Sequence, residues 1–229
     1  MTMLTRIASL HTGRARDRWE GRPPSAIGKE PVSGPLFLGA EGLVGDEQAD
    51  RTVHGGPEKA LHHYPADHYA AWAEVWPEHA ATFVAGGFGE NVSTTGVTEA
   101  DLCLGDRLRL GRALVEVCQG RQPCWKLSAH TGIGEMAARL QKSGRTGWYY
   151  RVIEPGEVAA GDPVVLAGRR HPDWPLSRVI AARFDPRLDP AVAAAIAALP
   201  ELSESWRKSF LKKTDPAFAE DTSARLSGA

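Results

Sequence analysis

At 229 residues, the chain has room for one full domain and a small appendage, and its 27 Lys and Arg against 28 Asp and Glu leave no global field to hold a nucleic acid polymer or an anionic membrane. Three cysteines without CxxC spacing argue against a disulfide framework, a zinc ribbon or an iron-sulfur site of the chain's own. The opening residues carry charges where a secretory peptide needs an apolar run, and no stretch approaches about 18 apolar residues, so a soluble, cytoplasmic protein is expected.

Sixteen prolines and 24 glycines cut the chain into short pieces, which suits strands joined by turns. Residues 2–10 and 36–44 have strand character, with a Gly- and Pro-rich loop over 21–35 between them. In GLVGDEQADRTVHGGPEKALHHY, Gly45, Gly55, Gly56 and Pro57 mark tight turns around Asp46, Arg51, His54 and Lys59. Successive amides in such turns can form a nest for a phosphate, although an ordinary glycine turn accounts for the same residues. His62 and His63 are adjacent on a strand and face opposite ways, so they are poor partners for one metal ion, and His68 follows as a satisfied or exposed histidine. Asp67 marks a helix start, and Tyr69, Trp72, Val75 and Trp76 follow at helical spacing as a core stripe that Pro77 closes. GGFGEN at 86–91 places Glu90 and Asn91 after another set of glycines, but no helix follows, which removes a dinucleotide fold. Residues 105–119 predict a hairpin turning at Gly111 and Arg112.

The stretch 115–127, VEVCQGRQPCWKL, is the chemical focus. Gly120 ends a strand, Pro123 fixes the backbone, and Arg121 and Lys126 flank Cys124 with positive charge. A thiol between two cations ionises below its free value of about 8.5, and the thiolate is the nucleophile and ligand. The competing reading makes Cys124 a small buried apolar side chain, as is expected of Cys103 and Cys118. Beyond it, Ile133, Met136, Ala137 and Leu140 predict a helix within 132–144, and RTGWYYRVIEPGEVAAGDPVVLA returns to strands. GRRHPDWP at 168–175 is a linker, helices start at Asp189 and Ser203 with a break at Pro200, and EDTSARLSGA is a frayed tail. The expected domains are residues 1–167 and 168–229.

The motifs GLVGDEQADRTVHGGPEKALHHYP, FGENVS, CQGRQPCWKL, GWYYRVIEPGEVAAGD and HPDWPLSRVI, in that order from about Gly42 to about Lys213, resemble the MOSC domain family and its YiiM-type branch. The resemblance implies a mainly β fold, a closed β-barrel with a few short helices and a small helical C-terminal domain. It also implies a molybdenum cofactor bound as molybdopterin and reduction of N-hydroxylated compounds such as hydroxylaminopurines. Cys124 would be the molybdenum ligand and a catalytic residue, with His54 as the other. Arg51, His54, Gly55, Gly56, Lys59, Asn91, Arg121 and Lys126 would hold the cofactor, and His54, Asp46 or Tyr64 would relay a proton. One departure is that Gly120 precedes Arg121 where family members usually carry proline-arginine. With no cluster or dinucleotide motif of its own, the chain would take electrons from a separate flavin or iron-sulfur reductase, and a homodimer is one possible assembly. The alternative function is a sulfur carrier or cofactor-handling protein with a persulfide on Cys124.

Overall fold

The computed structural model describes residues 2–50 and 55–228. Its strands are β1 (Thr2–Arg6), β2 (Ser9–Thr12), β3 (Glu30–Pro31), β4 (Leu36–Gly39), β5 (Gly42–Leu43), β6 (Leu61–Pro65), β7 (Val92–Thr94), β8 (Arg107–Leu110), β9 (Ala113–Gly120), β10 (Trp148–Glu154), β11 (Gly156–Val158) and β12 (Pro163–Gly168). Its helices are α1 (Asp67–Val75), α2 (Trp125–Thr131), α3 (Met136–Ser143), α4 (Leu176–Phe184), α5 (Pro190–Ala197), α6 (Glu204–Lys212) and α7 (Ser223–Ser227). None of the described helices is long and apolar enough to cross a membrane.

The strands form one sheet in the order β1-β12-β8-β9-β10-β6-β7-β2-β3 and a smaller one, β11-β4-β5. This corrects the expected closed barrel, because β1 and β3 are unjoined ends and the parallel pair β6–β7 makes the large sheet mixed. The mainly β expectation also fails, since about 29% of the chain is helical against 26% in strands. The physical reason lies in the segments after β6 and β9, where α1, α2 and α3 carry an apolar cluster of their own. Tyr69, Trp72, Leu127, Met136 and Leu140 pack there around Tyr64 and Phe88, so the two helices the sequence predicts here, joined by α2, carry a core of their own beside the sheet.

The predicted hairpin is β8–β9, with Leu108 opposite Val115 and Leu110 opposite Ala113. All eight residues of β9 are buried, as a strand flanked by β8 and β10 requires. Register then sets the site, because Tyr149 of β10 pairs with both Gln119 of β9 and His62 of β6. Alternation turns His62 and His63 to opposite faces. His63 packs against Trp148 and bonds Tyr150 Oη (3.0 Å) and Thr94 Oγ1 (2.7 Å), so it is a satisfied core histidine.

The C-terminal helices share a core with the large sheet, with Ile180, Trp206 and Phe210 in the same cluster as Leu102 and Val117. They begin where the caps predict, Asp189 accepting from Ala191 N (2.7 Å) and Ser203 from Trp206 N (3.4 Å). A Cβ at Gly120 would lie 2.4 Å from Ile180 Cγ1 and 2.8 Å from Trp206 Cη2. The glycine before Arg121 is therefore where the helical segment presses onto the strand that leads to Cys124. Two local expectations change. Asp67 lies inside the first turn of α1, where it accepts from Gly96 N (2.9 Å), and Val75 of the expected core stripe is exposed. The frayed tail is instead α7, docked against α2.

Candidate functional site

Beyond Gly120 the chain keeps ladder geometry for one more residue, Arg121 N donating to Gly147 O (2.9 Å), before Pro123 turns it. Cys124 is extended (φ −135°, ψ 169°) and is the N-cap residue of α2, half-buried on the wall of a cleft. Cys103 and Cys118 are buried elsewhere, and burial pushes the Cys118 thiol up to about 12. Of the three thiols, Cys124 alone lines the cleft.

Two polar atoms give the cleft its character. Arg121 Nη1 and His62 Nε2 are buried without a hydrogen-bond partner among the described residues, and both side chains line the cavity. Orphaned buried polar atoms are rare because each carries a desolvation cost of about 1–3 kcal/mol, so this pair points to an external partner. Burial, reinforced by the Arg121 guanidinium, holds His62 well below the usual histidine range, so its ring is neutral. Tyr149 stacks on that ring with centroids 4.9 Å apart and fixes its plane. Lys59 also lines the cleft; burial lowers its ammonium from the usual lysine value, against the attraction of Cys118, Glu58, Asp50 and Cys124.

The structure brings Lys59, Asn91, Arg121, Cys124 and Lys126 of the expected set to one cavity. Arg51 and His54 lie outside the described residues. Gly55 and Gly56 do not line the cavity, and the Gly56 amide donates to Gln48 Oε1 (3.3 Å). The amides of the second glycine loop are taken up by its own carboxylate: Gly86 N (2.6 Å) and Phe88 N (3.1 Å) donate to Glu90, as does Tyr69 Oη (2.7 Å). Asn91 is an organiser, since its Oδ1 accepts from His62 N (3.1 Å) and its Nδ2 donates to Asp46 (2.8 Å) and His11 O (3.2 Å). Lys126 Nζ donates to Pro24 O (3.1 Å), tying α2 to the N-terminal loop. Tyr64 does not line the cleft; its hydroxyl accepts from Trp72 Nε1 (2.8 Å) within the aromatic cluster.

Sequence reasoning passed over two participants. In the sequence His62 is only one of two adjacent histidines that face opposite ways, and its pairing with Tyr149 is what sets it apart from His63. Lys29 lies in the expected loop 21–35, yet its ammonium meets both oxygens of Asp46 (2.5 and 2.6 Å) on the cavity wall. The two side chains are 7% and 4% exposed. Asp46 also accepts from Gly13 N (2.7 Å), so its charge is fully engaged. Burial lowers the Lys29 pKa against the opposing pull of Asp46.

Comparison with known proteins matches residues 50–165 to the MOSC domain and residues 174–213 to the YiiM-like 3-alpha helix domain. The chain is 42% identical over 219 residues to Protein YiiM of Escherichia coli strain K12, covering 96% of this chain and 97% of that protein. It is 38% identical over 167 residues to a protein named Reductase from Gibberella moniliformis, covering 71% of this chain and 30% of that one. The crystal structure of YiiM from Escherichia coli superposes with a TM-score of 0.81 at 36% identity, over 96% of this chain and 98% of that one. With both of its segments matched in order and a near full-length relative above 40% identity, the chain belongs to the YiiM-type MOSC domain family.

Proposed function

We propose that this protein is a molybdenum cofactor-dependent reductase of N-hydroxylated compounds, hydroxylaminopurines among them. The observation that carries the reading is one soft thiol, Cys124, on the wall of a cleft lined also by Arg121 and His62, each of which has a buried, unpartnered nitrogen, Nη1 and Nε2. A thiolate suits a thiophilic metal, and a guanidinium suits the phosphate of a pterin cofactor. The family match and the relative named Reductase support the same class of chemistry.

The residues fit such a group. Cys124 would hold the metal, and Arg121 and Lys59 would hold the phosphate end, with neutral His62 offering a further polar atom at Nε2. Asn91 holds the backbone that carries His62, and Lys126 anchors the start of α2. When bound, the cofactor supplies the two electrons for cleavage of the N–O bond.

Reduction of an N–OH group to N–H consumes two electrons and two protons and releases water. Lys29, on the cleft wall, holds a proton at Nζ and would be its donor in this reading; burial lowers its pKa from the usual lysine value. Asp46 keeps that ammonium in place through both oxygens. Tyr64 has no part in this reading: its hydroxyl accepts from Trp72 Nε1 within the aromatic cluster. Electrons would come from a separate flavin or iron-sulfur reductase.

The test is turnover. Protein expressed in a cofactor-producing host should reduce 6-hydroxylaminopurine when given a chemical reductant. Metal-free protein carrying a cyanide-labile sulfur and no such turnover would move the assignment to a persulfide carrier.

A further inference from the structure

We propose that the C-terminal segment 215–228 is a strap that fixes the Gln122–Cys124 loop, with Arg225 as the positioning residue for Cys124; the importance of that loop rests on the function proposed above. The segment begins beyond residue 213, where the match to the helical family domain stops. It nevertheless makes specific contacts with the cysteine loop. Arg225 Nη1 donates to the carbonyl of Pro123, the residue immediately before Cys124, and its Nη2 donates to Gln141 Oε1 of α3 (2.8 Å). One guanidinium thus ties the loop to a helix from a different part of the sequence.

A second anchor stands beside the first. Arg183 of α4 is buried and takes Glu220 through two bonds, 2.6 and 2.9 Å, while the same side chain reaches Gln122 Oε1 at 3.4 Å. A third closes the end of the strap, where Gly228 O accepts from Arg22 Nη1 and Gly228 lies against Trp125, the first residue of α2. A Cβ at Gly228 would come within 2.8 Å of the Trp125 ring. Trp19 packs edge-on against that indole, centroids 5.3 Å apart. Gln122, Pro123 and Trp125 are therefore each held by a different part of the strap or its partners, and Cys124 lies among them. A loop residue that ligates a metal needs this kind of support, because the groups orienting a ligand govern how well it binds.

The experiment compares amide hydrogen exchange of the peptide 121–128 in the full-length wild-type chain and in Arg225→Ala, Arg225→Lys and Glu220→Gln. Arg225→Ala should raise exchange in that peptide about tenfold while β8 and α5 stay at wild-type rates, since local opening is set by local contacts. Arg225→Lys should recover to within about threefold, because an ammonium can still reach the Pro123 carbonyl, and Glu220→Gln should fall between. In cofactor-loaded protein the Arg225→Ala change should lower kcat and leave KM unchanged. Unchanged exchange at 121–128 in Arg225→Ala, or an equal rise throughout the chain, would overturn the proposal. Absence of N–OH turnover in the wild type would count against the preceding reading instead, and the exchange rates would still decide this one.

Discussion

Replacing Cys124 by serine is expected to lower N–OH reduction by at least about 10³-fold, equivalent to about 4 kcal/mol, while leaving the protein folded. Serine keeps the shape and removes the chemistry: a hydroxyl at neutral pH is neither a thiolate nor a soft ligand. Loss of activity through unfolding would be easy to recognise. Cys124 is the N-cap residue of α2 and makes no side-chain capping bond, whereas serine is among the favoured N-caps. The melting temperature should therefore hold or rise slightly. A Cys124→Ser protein with wild-type turnover would remove the sulfur from the mechanism.

Acid should destabilise the protein well before its exposed carboxylates titrate. His63 is held down to about 3 and His11 to about 4, in each case chiefly by burial, and His62 is also far below its usual range. Unfolded, these rings have pKa values near 6.5. Between pH 6.5 and about 4 the unfolded chain binds protons that the folded chain does not, so stability present above pH 6.5 is lost as the pH falls. His130 is lowered too, by burial and then by Arg18 and Arg121, and adds to the loss. Glu90 acts in the opposite sense, since burial raises its pKa and the folded state gains a proton there first. With three strongly shifted rings against one carboxylate, unfolding free energy from denaturant titrations should fall by about 2–3 kcal/mol per pH unit between pH 6 and 5. A flat profile from pH 7.5 to 5 would show that these rings are not buried as neutral groups.

How much of this is legible in the sequence depends on the distance over which each feature is specified. The 105–119 hairpin, the stop at Gly120 and the caps at Asp189 and Ser203 are local signals, and the structure keeps all of them. The short helix α2 escapes notice because it has only seven residues and starts two residues after Pro123. His62 cannot be told from His63 without knowing that β10 pairs alongside and places Tyr149 on one of them. The Lys29–Asp46 pair joins two loops and carries no periodicity. GGFGEN resembles an anion nest until Glu90 is seen to occupy it, supplying the anion from within the motif. The tail has the composition of a frayed end, yet Glu220 and Arg225 find partners 37 and 102 residues away. The closed barrel followed from the resemblance and not from strand patterning, and pairing in the chain stops at β1 and β3.

The most direct measurement is the molybdenum and pterin content of wild-type protein purified from a host that makes the cofactor, beside Cys124→Ser prepared in parallel. Near-equimolar metal with pterin fluorescence is expected in the wild type, and a large loss of metal in the serine variant. Wild-type protein that carries neither metal nor pterin, or a serine variant that retains both in full, would contradict the cofactor-dependent reading.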